Sequence, residues 1–493
     1  MFERITPEEA GISSRYVADF IDSLQRHGLH MHSVLLMKGD KLFGEYYWAP
    51  FHRDFCHRMY SQTKSYVAVA VGLLEEEGKL SIQDKIADYF PEKIDRKLPE
   101  YLAQQTIRDM LTMHTSCQCP NWFTAADPDR THLYFNESAV TRPSGTYFEY
   151  DSAGSQVLSS LVEKLSGMSL FDYLNEKIFK KLGTFQTATI LKTRNGDSWG
   201  DSALVCTSRD MASFARFVMN YGSWKGERLM NEAYLRAATA PQTDNHRTAF
   251  DAYNAAGYGY QIWCAPEGGF SFNGMGCQFT VCLPQHDFIF VCTADNQGYE
   301  PAGYLIFAAL YDHIVAHLEG TSLPADPADG ARLAKAVENL SLAHAAGRAD
   351  SPFAGELNGK TYRCRENRQG ISSFSFHFKG DGTGEFRYVN TQGEKALPFG
   401  LARNLFVKFP QLGYSDGAGG AVTEDGFMYD CASSAGWLEE KKLLLSVQII
   451  DRYFGNMGAV FAFRGKEAAV SMTKTAENFL NEYEGCFTAC QEE

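Results

Sequence analysis

The run Val67 to Leu74, inside MYSQTKSYVAVAVGLLEEEGK at 59–79, constrains the fold most, because it is apolar around the whole circumference of a helix. Such a helix has to lie inside a domain. Glu75, Glu76 and Glu77 then turn it polar, and Gly78 supplies a C-terminal stop. Ser61 falls at its N-terminal edge, where unpaired N–H groups and the helix dipole stabilise an oxyanion. Lys64, three residues on, shares that face, and a partly desolvated lysine can serve as the base a hydroxyl nucleophile needs. About two S-x-x-K matches arise by chance in a chain of this length. The other one here, Ser471 to Lys474, opens TKTAENFLNEYEG, which reads as a surface helix with nothing to perturb a lysine. The alternative for Ser61 is an ordinary helix-capping serine, so its partners decide.

Composition excludes several classes. A net charge of −14 and no basic stripe argue against nucleic acid or an anionic membrane as partner. No apolar run reaches the ~18 residues of a membrane span, and MFERITPEEAGIS has no charged-then-apolar leader, so a cytoplasmic protein is expected. The twelve cysteines are scattered through apolar runs such as TVCLP, as buried free thiols would be. Neither Cys117 with Cys119 nor Cys486 with Cys490 has a matching cluster, and no HExxH, Walker or dinucleotide motif occurs. The expectation is therefore chemistry by side chains alone, with no metal and no cofactor, on a small-molecule or short-peptide substrate.

Taken in order, residues 12–27 read as an amphipathic helix, and HSVLLMKGD and KLFGEYYWA as a hairpin. TIRDMLTMHTS is a second helix ending at His114, a structural hydrogen bonder rather than a site residue. Residues 117–142 read as a long loop whose Trp122, Phe123 and Tyr134 are core or cleft wall. Tyr150-Asp-Ser152 stands at a strand–helix junction. GYGYQIWCA, GFSFNGMGCQFTVCLP and FIFVCTADNQ read as consecutive strands, covered by a last helix from about Ala302 to Leu318. The layout is α+β, with first and last elements in one sheet. The expected division is a catalytic domain over 1–318, an Ala- and Asp-rich linker with one helix over 319–350, and an antiparallel β-barrel over 351–493.

With Ser61-Gln-Thr-Lys64, Tyr150-Asp-Ser152 and Phe272-Asn-Gly274 in that order, the first ~320 residues resemble the serine hydrolases related to class C β-lactamases, penicillin-binding DD-peptidases, family VIII esterases and 6-aminohexanoate-dimer hydrolases. PEEAGIS, IRDMLTMHTS, KIFKKLG, SRDMASFARF and YGYQIW resemble the same family's connecting segments. The resemblance implies Ser61 as nucleophile and Lys64 with Tyr150 sharing its proton. It implies that Ser152 bonds Lys64 or the substrate amide, and that the N–H groups of Ser61 and Met275, beside Gly274, hold the oxyanion. Two positions depart. Phe272 stands where relatives carry Lys or His on the strand lining the cleft, so an apolar ring is expected on the cleft's far wall and carboxylate recognition is expected to be weak unless another cation such as Arg247 replaces it, and Cys117 stands where Gly is usual. The barrel resembles the lipocalin-like domains of D-aminopeptidase-type relatives; the alternative is a stabilising or homodimer-forming appendage.

The expected activity is ester or amide cleavage through an acyl-enzyme on Ser61, with poor action on β-lactams. The alternative is a binding or scaffold module that kept the fold and lost turnover, which Phe272 keeps open.

Overall fold

A computed structural model describes residues 2–249, 251–411, 426–476 and 479–492. The chain forms two compact units, Met1–Ser341 and Leu342–Glu493.

In the first unit, a seven-stranded sheet runs edge to edge through Glu3–Arg4, Lys41–Tyr47, Met31–Lys38, Phe288–Ala294, Gln278–Leu283, Gly269–Gly274 and Trp263–Ala265. Only the first pair is parallel. N-terminal and C-terminal strands share one sheet, as expected. Side chains alternate across its faces. Phe270, Phe272, Cys282, Ile289 and Val291 join the core of the Thr63–Glu76 helix. Phe279, Val281, Phe290 and Cys292 face the opposite way, toward helices Ser14–Arg26 and Ala302–Ala309.

Three sequence expectations change here. GFSFNGMGCQFTVCLP is two strands folded about a turn at 275–277, with Gly276 at φ 77°. Residues 117–142 contain a helix, Arg130–Glu137, whose N-cap Asp129 accepts from the Thr131 and His132 amides. In the expected linker, helix Pro327–Val337 is tied to the first helix: Ser13 Oγ donates to Asp329 at 2.6 Å, Arg332 pairs with Asp19, and Leu333 enters the core. The two units accordingly divide after Ser341.

The second unit is a closed barrel of nine strands. Around the ring they run Gly393–Leu401, Thr383–Asn390, Ser373–Lys379, Thr361–Cys364, Gly485–Gln491, Glu467–Thr475, Phe454–Arg464, Lys442–Ile450 and Asp430–Glu439. An odd ring cannot alternate direction throughout, and the one parallel pair closes it at Gly400↔Ser434 and Leu401↔Ala435. Leu405–Lys408 also pairs with Asp430–Glu439. Ser471 and Lys474 lie in the Glu467–Thr475 strand, not in the surface helix expected for them. Ala468, Val470 and Met472 point inward at a period of two, which is a strand's period.

All twelve cysteines are free thiols. Among the described residues no helix is long and apolar enough to cross a membrane.

Candidate active site

Ser61 sits in the short 3-10 turn Tyr60–Gln62 that leads into the Thr63–Glu76 helix. Tyr60 has φ 48°, a left-handed conformation that a non-glycine residue adopts only where its surroundings enforce it. They do so through Thr63, whose hydroxyl donates to the Tyr60 carbonyl at 2.7 Å and accepts from the Leu204 amide at 3.0 Å. The turn therefore holds the half-buried Ser61 hydroxyl at the start of a rigid helix.

Lys64 is 1% exposed. Its Nζ donates to Ser61 Oγ at 3.1 Å and to the Asp201 carbonyl at 2.7 Å, and stands 3.9 Å from Asp201 Oδ2. It also lies 5.1 Å from the centre of the Tyr150 ring, which stacks on Trp263 at 5.8 Å. Ser61, Lys64 and Tyr150 are thus brought together, with Lys64 between the other two. Among the described residues the Tyr150 hydroxyl forms no hydrogen bond.

Ser152 begins helix Ser152–Ser166, whose N-cap is Asp151. Burial raises the Asp151 carboxyl, opposed by the Gly154 amide that donates to it. Ser152 does not bond Lys64; the second partner of that ammonium is the Asp201 carbonyl. Gly274 approaches the Ser61 turn so closely that a Cβ would lie 2.2 Å from the Met59 carbonyl oxygen. Met275, 39% exposed, opens the following turn. Gln278 fixes that turn, its Nε2 donating to the Met275 and Ala294 carbonyls at 2.9 and 2.7 Å.

Phe272 is placed differently from expectation. It is 1% exposed, with Phe214 and Phe270 at 5.7 and 5.8 Å between ring centres. The strand's alternation sends it into the core beneath the sheet, so it is not a cleft wall. Tyr134 is likewise core, its hydroxyl accepting from Gln105 at 2.9 Å. His114 is held at both ring nitrogens, by Thr112 and Thr243. Arg247 is exposed.

Two buried cations that the sequence did not point to stand against the same 199–202 segment that holds the partner of Lys64. Arg130 stacks over Trp122, Phe123 and Trp199, and its Nη1 is 3.7 Å from Asp201 Oδ1. Arg58, fully buried, donates to the carbonyl and hydroxyl of Ser202 and lies over Tyr60 and Trp199. Trp199 is therefore flanked by two guanidiniums, and the segment 199–202 gathers Lys64 and Arg130 at the Asp201 carboxylate and Arg58 at Ser202. The only signal in the sequence was the aperiodic SWGDSA itself.

A family model described as Beta-lactamase matches residues 14–310. The chain is similar to the 6-aminohexanoate-dimer hydrolase of Paenarthrobacter ureafaciens, 25% identical over 263 residues that cover 50% of this chain and 67% of the relative. It is also similar to penicillin-binding protein 4* of Bacillus subtilis (strain 168), 32% identical over 151 residues, 28% of this chain and 31% of that one. Among solved structures, a putative 6-aminohexanoate-dimer hydrolase from Bacillus anthracis superposes with a TM-score of 0.53 at 18% identity, over 66% of this chain and 89% of the other. A putative beta-lactamase from Bacteroides dorei DSM 17855 gives 0.52 at 14% identity, over 61% and 98%. At these identities the structural likeness shows the fold alone.

Proposed function

The chain belongs to the Beta-lactamase family, and from that premise we propose that it is a serine hydrolase cleaving an ester or amide through an acyl-enzyme on Ser61. One contact carries the reading: a buried lysine Nζ 3.1 Å from a serine hydroxyl at a helix start. Ser61 Oγ attacks the carbonyl carbon while its proton passes to the Lys64–Tyr150 pair, which holds one proton between them. The N–H groups of Ser61 and Met275 receive the oxyanion. Collapse expels the alcohol or amine, which takes the proton from the pair. Water, deprotonated by the same pair, then releases the acid and restores Ser61.

We infer that small acyl esters and uncharged amides are preferred over β-lactams: no cation stands at position 272, and the Phe272 ring itself is buried against Phe214 and takes no part in binding. The name of one relative, the 6-aminohexanoate-dimer hydrolase of Paenarthrobacter ureafaciens, supports an amide as the natural bond. The binding-module alternative rested on Phe272 as a cleft residue, and that ring packs on Phe214 instead.

A fluorophosphonate probe followed by peptide mass mapping tests the reading. Attachment at Ser61 is expected; attachment at Ser471, or none to folded protein, overturns it.

A further inference from the structure

Gln261 is fully buried yet has φ 55°, a conformation disfavoured for any residue with a Cβ. All four of its polar groups are bonded. Its amide N–H donates to the Leu111 carbonyl at 2.8 Å, and its carbonyl accepts from Ser65 Oγ at 2.7 Å. In the side chain, Nε2 donates to the Met110 carbonyl at 2.7 Å, and Oε1 accepts from Ser155 Oγ at 2.7 Å. A backbone carbonyl only accepts, so the Met110 contact fixes which end of the side-chain amide faces Ser155.

These partners are not scattered. Ser65 adjoins Lys64 on the helix of the nucleophile, and Ser155 lies one turn into the helix that Tyr150 and Asp151 lead into. Met110 and Leu111 end a helix followed by Met113, whose sulfur accepts from the Asp151 amide at 3.2 Å and which packs in a cluster with Tyr150. Among the described residues no hydrogen bond joins the Thr63–Glu76 and Ser152–Ser166 helices directly; Gln261 joins them. Glycine would hold this backbone without strain, but it has no side chain to reach Ser155.

We propose that Gln261 is a positioning residue that sets Tyr150 against Lys64 by bridging the helices that carry them. This rests on the hydrolase reading above. A strained backbone is kept where the surrounding structure over-determines it, and here it is over-determined by three elements that converge on the site. Among the described residues the Tyr150 hydroxyl has no hydrogen bond; the ring is placed by packing, with Lys64 Nζ over it at 5.1 Å, Trp263 stacked at 5.8 Å and the Met113 cluster against it. Its placement therefore depends on how the two helices are registered.

The test compares wild type with Gln261→Met, which keeps the volume and loses the side-chain bonds, and with Ser65→Ala, which removes the one bond from the nucleophile's helix to the Gln261 carbonyl and leaves Gln261 itself untouched. For a p-nitrophenyl ester, Gln261→Met should lower kcat by about tenfold to a hundredfold, the size of loss that small misplacements produce. KM should move by less than about twofold, because the substrate's own contacts are intact. Ser65→Ala should give a smaller loss in the same direction, and it is the decisive variant if Gln261→Met fails to fold. Amide hydrogen exchange reads the bridge without turnover: residues 61–66 and 151–157 should exchange faster in both variants, with the Ser208–Met219 helix unchanged. Wild-type kcat together with unchanged exchange overturns the proposal, and so does a kcat loss matched by equal loss of protection across the whole unit. If wild type does not label at Ser61, the hydrolase reading fails, and the exchange data alone decide whether Gln261 is the bridge.

Discussion

Beside Ser61 the first unit buries charge, with Lys64, Arg58, Arg130 and Asp201 all in its interior. The middle of the second unit is ring against ring, Phe376 lying 4.9 Å from Phe461 and 5.1 Å from Phe386, and Phe374 5.2 Å from Phe461. Buried ion pairs are a weak source of stability, since desolvation offsets most of the attraction, whereas buried aromatics stabilise in proportion to area. The comparison teaches where to look for chemistry. A region that keeps cations inside at a thermodynamic disadvantage is one whose residues were selected for something other than packing.

The sharpest way to break the contrast is Ser61→Ala. In the first unit it should abolish labelling and lower ester turnover by at least about a thousandfold, as loss of a nucleophile does. Unfolding should barely respond, because Lys64 keeps the Asp201 carbonyl as partner. The counterpart in the second unit is Phe376→Ala, which empties the centre of the barrel. It should cost that unit about 3–5 kcal/mol in calorimetry or denaturant titration, with the rate of Ser61 labelling unchanged while the protein is folded. A barrel variant that left stability intact would show that its aromatic centre is not what holds it.

A third variant asks whether Phe272 belongs with the site or with the packing. Phe272→Leu keeps an apolar side chain in the same core and should cost about 1–2 kcal/mol. The ratio of kcat/KM for a butyrate ester over nitrocefin should stay within about threefold of wild type, because the ring faces Phe214 rather than substrate. A large change in that ratio would return Phe272 to the cleft wall.

What the sequence made legible follows the same division between local and distant information. The Thr63–Glu76 helix, the hairpin of Met31–Lys38 with Lys41–Tyr47, and the Ser61–Lys64 spacing are local, and each was readable from periodicity. The partners of Lys64 were not. Asp201 lies 137 positions away in sequence, and nothing in SWGDSA states that its carbonyl will meet an ammonium. Phe272 was assigned to the cleft by motif order, while the strand's alternation, also written in the sequence, sends it into the core beside Phe270. In the barrel, the strand Asp430–Glu439 carries little signal of its own, because DCASSAGWLE is mostly small residues and strand propensity lies with large β-branched and aromatic ones.

A last test separates the units by pH. His32 and His57 are both fully buried in the first unit, His32 Nδ1 lying 2.8 Å from His57 Nε2. His57 Nδ1 faces the Arg58 carbonyl at 2.8 Å and so carries its proton there; His57 Nε2 is then the acceptor and His32 Nδ1 the donor. Protonating His57 would set two N–H groups against each other. Burial lowers both imidazoles, His57 to about 3, with His57 and His30 adding to the effect on His32. A folded pKa below the unfolded value of about 6.5 means that the unfolded chain binds more protons between the two. Stability is then complete above about pH 6.5 and falls as the pH drops toward 3, by about 1.4 kcal/mol per pH unit for each such group. Asp151, whose pKa burial raises, works in the opposite direction, and Glu45, held at about 2 by Arg209 and Arg4 against its burial, begins to matter only below about pH 4.5. The described residues of the second unit contain no fully buried histidine. Calorimetry at pH 7, 6 and 5 should therefore show the first unit's transition moving down while the barrel's stays nearly fixed. His57→Gln should flatten the first unit's slope whatever it does to the midpoint at pH 7. Parallel shifts of both transitions, or an unaltered slope in the variant, would remove the histidine pair as the cause.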